Sequence, residues 1–214
     1  MLSISRQALQ RLPLYLNYLK SLPPGTVNIS ATTIAQALGQ GDVQVRKDLA
    51  AVSDRGRPKV GYDTHGLIRD IEEFLGYDNV DTAVIVGAGN LGRALLCYDG
   101  FSTYGLDIVA AFDADYTRQG VLENGKQIFP VSRLGELCER MKVKIGIITV
   151  PAAAAQKVCD TMIEAGVLAV WNFSPVRLTV PAGVLVQDEN MAVSLAVLSQ
   201  HLAEKLRESE EDAV

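Results

Sequence analysis

The run Val84-Ile85-Val86-Gly87-Ala88-Gly89-Asn90-Leu91-Gly92 restricts the fold of this chain more than any other stretch. A short apolar segment reads as a buried strand, and the spacing G-x-G-x-x-G leads directly from it into a helical segment. In that setting Gly87 permits a tight turn, Gly89 lets the backbone approach a pyrophosphate, and Gly92 lets helix and strand pack closely. The helix start adds amide donors and a partial positive charge. Asp113 stands 21 residues beyond Gly92, at the end of a second apolar run, IVAAFDAD. A carboxylate there accepts hydrogen bonds from an adenosine ribose and repels a 2′-phosphate, so the pattern favours NAD(H) over NADP(H). Gly87, Ala88, Gly89, Asn90, Leu91, Gly92 and Asp113 are therefore candidate dinucleotide-binding residues. The residues alone leave open a Rossmann-like domain that holds another nucleotide or coenzyme A.

The flanking pattern agrees with an α/β fold. Strands are expected over 82–86, 107–112, 144–150, 168–171 and 184–186, with helices after the glycine turn to about Tyr98 and over 152–165. Apolar strands joined by helical spacers make a doubly wound parallel sheet. A last helix starts near Asn190 and carries Met191, Leu195, Leu198, Leu202 and Leu206 as an apolar stripe, ending in the solvated acidic run 208–212.

The front of the chain reads differently. A helix over 5–22 places Leu9, Leu12, Leu16 and Leu19 on one face, with Pro13 expected to break or restart it. Two short helices follow: Ser30 caps the first, which turns Ile34, Ala35 and Leu38 inward. Gly39-Gln40-Gly41 connects them, and Asp42 caps the second. Val45, Leu49 and Val52 face the core, while Gln44, Arg46 and Lys47 lie on the polar outer face, as in a helix-turn-helix. Gly56 and Gly61 bracket a basic stretch with Arg57 and Lys59, which reads as a β-hairpin wing. Asp63 caps a further helix that Gly76 ends. The domains are expected at 1–78, a winged-helix module; 79–188, the nucleotide domain; and 189–214, a helix with an acidic tail.

Charge follows the same division. Residues 1–62 hold 8 Lys/Arg against 3 Asp/Glu, whereas residues 63–214 hold 12 against 22, within a net −5. A basic front suits a polyanion, and an acidic rear repels it. No apolar run approaches the ~20 residues of a membrane span. The opening MLSISRQALQRLP has no apolar leader, so a cytoplasmic location is expected.

An enzyme reading finds little support. His65 starts the helix after the wing and His201 lies on the last helix, neither at the carboxyl end of a sheet strand where hydride chemistry would need a proton donor. About 25 residues follow the last strand, too few for a catalytic domain. Cys97, Cys138 and Cys159 share no metal-type spacing and read as buried free thiols. A small NAD-dependent oxidoreductase and a coenzyme A-binding subunit remain the rival readings.

The assembled residues resemble the bacterial redox-sensing transcriptional repressors of the Rex family over nearly the whole chain. The resemblance rests on ISRQALQRLPLYLNYLKSL, QVRKDLAAV, GRPKVGYD, GAGNLGRAL, GFSTYGLDIVAAFDAD, WNFSPVRLTVP and SLAVLSQHL. It implies a homodimer whose last helix is swapped onto the partner. It implies an AT-rich palindromic DNA operator, with NADH and NAD as regulatory ligands and NADH releasing the protein. Gln44, Arg46, Lys47, Arg57 and Lys59 become DNA-contact candidates, and Tyr98 and Phe101 candidates beside the nicotinamide. The chain departs from the family where Asn17 replaces a frequent arginine and Asn190 a frequent aspartate; Asp188 is the carboxylate nearest to the second position.

Overall fold

A computed structural model describes residues 4–211, with side chains as far as Arg207 in the last helix. The expected solvated run 208–212 thus lies outside the described side chains. The chain folds as two compact units: one runs to Asn79 and takes in Thr103–Gly105, the other holds Val80–Ser102 and continues from Leu106. The return of Thr103–Gly105 was not legible in the sequence; Tyr104 sets its ring edge-on to Tyr77 at 5.2 Å.

The first unit contains α1 (Arg6–Lys20), β1 (Asn28–Ile29), α2 (Ala31–Leu38), α3 (Asp42–Val52), β2 (Tyr62–Asp63) and α4 (Thr64–Leu75). Its core joins Leu12, Tyr15, Leu16 and Leu19 of α1 to Ile34, Val45, Leu49, Leu67 and Ile71. Pro13 lies inside α1 without breaking it. The loss of one backbone hydrogen bond, costing about 3 kcal/mol, is offset because both halves of the helix bury side chains in one core. Leu12, Leu16 and Leu19 are buried as expected, while Leu9 is 40% exposed and Ala8 and Tyr15 complete the buried face. Ser30 and Asp63 cap α2 and α4 as expected, each accepting a backbone amide three residues on. Gly41, not Asp42, caps α3.

The second unit is built on a sheet of order β5-β6-β4-β3-β7-β8-β9. Its strands are β3 (Asp81–Val86), β4 (Leu106–Asp113), β5 (Gly120–Val121), β6 (Gln127–Pro130), β7 (Ile145–Ile148), β8 (Ala169–Asn172) and β9 (Leu185–Asp188). All pairs are parallel except β5–β6. The helices are α5 (Asn90–Leu96), α6 (Leu134–Met141), α7 (Ala152–Glu164) and α8 (Met191–Glu211). β3 is buried on both faces: Val84 and Val86 join the cluster containing Leu134, Leu137, Cys159 and Met162, while Ala83 and Ile85 join Leu96 and Ile108. Two-sided burial explains its unbroken apolar run. Strand order reverses at β3, which lies between β4 and β7, so a crevice opens beyond the carboxyl ends of these strands.

The strands between β4 and β7 leave no long apolar run in the sequence, because both residues of β5 are exposed and only one residue of β6 is buried. Among the described residues no helix is long and apolar enough to cross a membrane. Cys138 and Cys159 are buried, and burial pushes the Cys138 thiol up to about 11. Cys97 corrects the expectation of three buried thiols. It is exposed, at the residue that ends α5.

Candidate dinucleotide site and nucleic-acid interface

The glycine turn sits where β3 hands over to α5. Gly87 takes φ +104°, and a Cβ on Gly92 would lie 1.9 Å from the Gly87 carbonyl oxygen, so any side chain at Gly92 would break the turn. Thr149, just past β7, donates its hydroxyl to the Gly87 carbonyl at 2.7 Å and thereby fixes the turn from the neighbouring strand. Gly89 differs from its two companions. Its Cβ position faces open space, with the Arg118 Nη1 atom nearest at 3.8 Å.

Beside this turn lies a cavity of about 740 Å³, within the range of small-ligand sites. Gly87, Gly89, Asp113 and Arg118 line its polar side, and Val131, Leu134, Pro151 and Val158 its apolar side. The fit to a dinucleotide is therefore physical: glycine backbone for a diphosphate, a carboxylate for a ribose, and apolar walls for a base. Asp113 is 7% exposed. Its carboxylate already accepts hydrogen bonds from the amides of Ala88 at 2.7 Å and Asp115 at 2.8 Å. It holds the turn and also lines the cavity.

Asn90 and Leu91 open α5 and do not line the cavity, nor do Tyr98 and Phe101. Those two aromatics belong to a separate chain of rings. Tyr98 meets Phe101 at 4.9 Å, Phe101 meets Trp171 at 5.8 Å, and Trp171 meets Phe173 at 4.9 Å. Trp171 donates its indole N–H to Glu189 at 2.9 Å, just before α8. Trp171, Phe173, Thr149 and Arg118 carry no local spacing that marks them in the sequence, because they come from the ends of three separate strands, β8, β7 and β4. Near α8, Asn190 accepts the Ala192 amide at 3.0 Å, while Asp188 accepts from Asn172 at 2.8 Å. Asn190 thus serves as a helix cap, and the Asp188 carboxylate is engaged within its own unit.

In the first unit, Arg46, Arg57 and Lys59 line one groove together with Ser30, Thr32 and Tyr62. Arg46 pairs with Asp42 at 2.8 Å, and Asp42 accepts from Thr32 at 2.6 Å, so an exposed network presents the guanidinium at the groove. The wing is smaller than the expected hairpin. Arg57 and Gly61 exchange both backbone hydrogen bonds, at 2.8 and 2.9 Å, and no longer strand forms. β2 pairs with β1 instead, and a Cβ on Gly61 would lie 2.3 Å from the Ile29 carbonyl oxygen, so only glycine allows the wing to close there. Lys47 is exposed on α3 but does not line the groove.

Gln44 also departs from expectation. Its amide turns along α3 to Asp48 at 2.8 Å. Asp48 is 3% exposed and also accepts from Arg11 at 2.7 and 3.0 Å and from Tyr15 at 2.9 Å. Burial alone would raise the Asp48 carboxyl; the hydrogen bonds from Arg11, Gln44 and Tyr15 outweigh it and hold the group below its ordinary value. The same cluster, led by burial, pushes the Tyr15 phenol up to about 12. This cluster clamps the second helix of the helix-turn-helix to α1. Because the carboxyl is depressed in the folded state, its stabilisation is present above the ordinary carboxylate range and is lost as pH falls through the lowered value. Asp48→Ala leaves Arg11 without its buried partner and is expected to cost about 3 kcal/mol in chemical denaturation at neutral pH. A cost below about 0.5 kcal/mol, the level of an ordinary surface change, would contradict the clamp.

Comparisons with known proteins converge on one kind of relative. Residues 78–176 match the family model of the CoA binding domain, and residues 3–50 match that of a DNA-binding protein N-terminus. The redox-sensing transcriptional repressor Rex of Porphyromonas gingivalis is 42% identical over 196 residues, 91% of this chain and 90% of that protein. Its namesake in Pelotomaculum thermopropionicum is 40% identical over 205 residues, 95% of this chain and 96% of the relative. The crystal structure of RSP in complex with β-NAD+ and operator DNA is similar with a TM-score of 0.89 at 29% identity, covering 100% of this chain and 99% of the other. RSP in complex with β-NADH gives a TM-score of 0.86, covering 98% and 99%.

Proposed function

Because the chain belongs to the Rex family of redox-sensing transcriptional repressors, we propose that it grips an AT-rich inverted-repeat operator as a homodimer and lets go when NADH binds. The observation that carries this reading is the pairing of two sites in one chain. A glycine-turn cavity lies in one unit, and a groove where Arg46, Arg57 and Lys59 converge lies in the other. The protein is a DNA-binding regulator of the cytoplasm rather than an enzyme. Residues 1–78 serve the operator, 79–188 the coenzyme, and 189–214 the dimer.

Arg46, Arg57 and Lys59 contact the operator most directly, with Lys47 beside them; Gln44 is spent on positioning α3 through Asp48. Phosphate contacts from these cations hold the duplex, and side chains on α3 read base edges in the major groove. In the other unit, the 87–92 turn holds the coenzyme's diphosphate and Asp113 its adenosine ribose. Tyr98 and Phe101 offer an apolar surface to the nicotinamide end. The coenzyme supplies a ring that is neutral when reduced and positively charged when oxidised. An apolar surface receives the neutral ring more readily, because burying an unpaired charge is costly.

A ligand that prefers one arrangement of the DNA-binding units shifts the population towards it. A coupling of about 1–3 kcal/mol alters operator affinity roughly 5- to 150-fold. Fluorescence anisotropy on a palindromic operator, titrated separately with NADH and NAD at fixed salt, tests the reading. NADH is expected to release the DNA and NAD to leave it bound; equal weakening by both would refute redox discrimination. Arg46→Ala is expected to weaken operator binding about 10-fold, or 1.4 kcal/mol, with NADH affinity unchanged. Undiminished operator affinity in that variant would remove Arg46 from the interface.

A further inference from the structure

Resting on the coenzyme reading above, we propose that Arg118 supplies the counter-charge for the dinucleotide's diphosphate, a ligand contact outside both the glycine turn and Asp113. Arg118 ends the short 3-10 turn Tyr116–Arg118 that follows β4, and it lines the same cavity as Gly87, Gly89 and Asp113. Its Nη1 atom is the nearest atom to the open side of Gly89, the point where a diphosphate must approach the backbone.

The backbone that carries Arg118 is tied to the glycine turn. Arg93 donates from Nε to the Ala88 carbonyl at 3.2 Å and from Nη2 to the Arg118 carbonyl at 3.3 Å. The tip of the side chain is held less firmly. Nη1 lies 3.4 Å from Asp113 and Nε 3.3 Å from Asp115, both longer than the 2.7–2.9 Å of a well-made charge-assisted bond. The side chain is 46% exposed, and a guanidinium carries five N–H donors, so donors remain for a ligand.

Charge completes the argument. Without Arg118, the Asp113 carboxylate in the cavity wall, and Asp115 two residues further on, would lose the cation that pairs with both, near a doubly negative diphosphate. With it, the two carboxylates are partly neutralised and a fork-shaped donor set stands beside Gly89. The oxidised and reduced coenzymes share the same diphosphate, so Arg118 sets the affinity for both and leaves their ratio alone. Lys157 is a second cation lining the cavity, on α7, and serves as the comparison.

Calorimetric titration of the full chain separates the possibilities. The probes are NADH, NAD, ADP-ribose, which keeps the diphosphate, and adenosine, which has none. Arg118→Gln is expected to weaken NADH, NAD and ADP-ribose about 10-fold each and to leave adenosine unchanged, with Arg118→Lys recovering part of the loss. Unchanged or tighter NADH binding in Arg118→Gln would overturn the proposal. So would an equal loss for adenosine, which would assign Arg118 to holding Asp113, or a loss confined to Lys157→Gln. Failure of the unaltered protein to bind NADH at all would instead remove the coenzyme reading, and this proposal with it.

Discussion

Gly89→Glu is expected to yield a folded repressor that holds its operator and no longer responds to NADH. The backbone at Gly89 has φ −70°, which any residue adopts, and its Cβ direction meets nothing nearer than the Arg118 guanidinium at 3.8 Å. The new side chain therefore enters the cavity without straining the turn. It places a carboxylate where a diphosphate must come, beside the cation proposed to receive that diphosphate. Repulsion and occlusion of about 3 kcal/mol or more weaken NADH at least about 100-fold. Melting temperature and operator affinity without coenzyme should stay near those of the unaltered protein, and NADH up to millimolar levels should leave the DNA bound. A Gly89→Glu protein that still releases its operator at the usual NADH level would show that the coenzyme lies elsewhere. Gly92→Ala makes the contrast: its Cβ would sit 1.9 Å from the Gly87 carbonyl oxygen, so the turn itself must move and stability falls along with binding.

The difference between these two glycines shows what a sequence discloses and what it withholds. The spacing G-x-G-x-x-G and the following acidic residue are local regularities, so the turn, Asp113 and the flanking strands were legible. The motif position already assigns Gly89 to a ligand and Gly92 to close packing; what it withholds is Thr149, whose hydroxyl reaches the Gly87 carbonyl from the neighbouring strand. Arg118 left no signal for the same reason, being one cation among many until β4 and the turn after it bring it to Gly89. Asp48 was hidden more deeply. In QVRKDL it reads as one more polar residue on an outer face, yet Arg11 and Tyr15, more than thirty positions earlier, bury it. Gln44, expected at the DNA, turns its amide to that same cluster. The wing was misjudged in extent because two glycines and a basic stretch specify a tight reversal but not how many residues pair beyond it. Pro13 illustrates the opposite failure, a local rule overridden by burial on both sides of the ring.

The apolar stripe of α8 requires a partner, and removing the stripe should have the largest effect on DNA binding. Met191, Leu195, Leu198, Leu202 and Leu206 are each more than half exposed, with Val193 and Val197 beside them. Their 4-3-4-4 spacing keeps them on one face of a 21-residue helix, about 30 Å long at 1.5 Å per residue. A continuous apolar face of that length exceeds what a monomer leaves in water, and it matches the homodimer implied by an inverted-repeat operator. Two half-sites joined in one molecule gain an effective concentration worth about 10²- to 10⁴-fold in affinity. The double variant Leu198→Glu/Leu202→Glu puts two charges in the centre of the stripe, while glutamate remains a good helix former. Sedimentation should then report a monomer, and operator affinity should fall at least about 100-fold with the first unit's fold unchanged by circular dichroism. A variant that stays dimeric would place the interface on another face, and a monomer that grips the operator undiminished would end the case for paired half-site recognition.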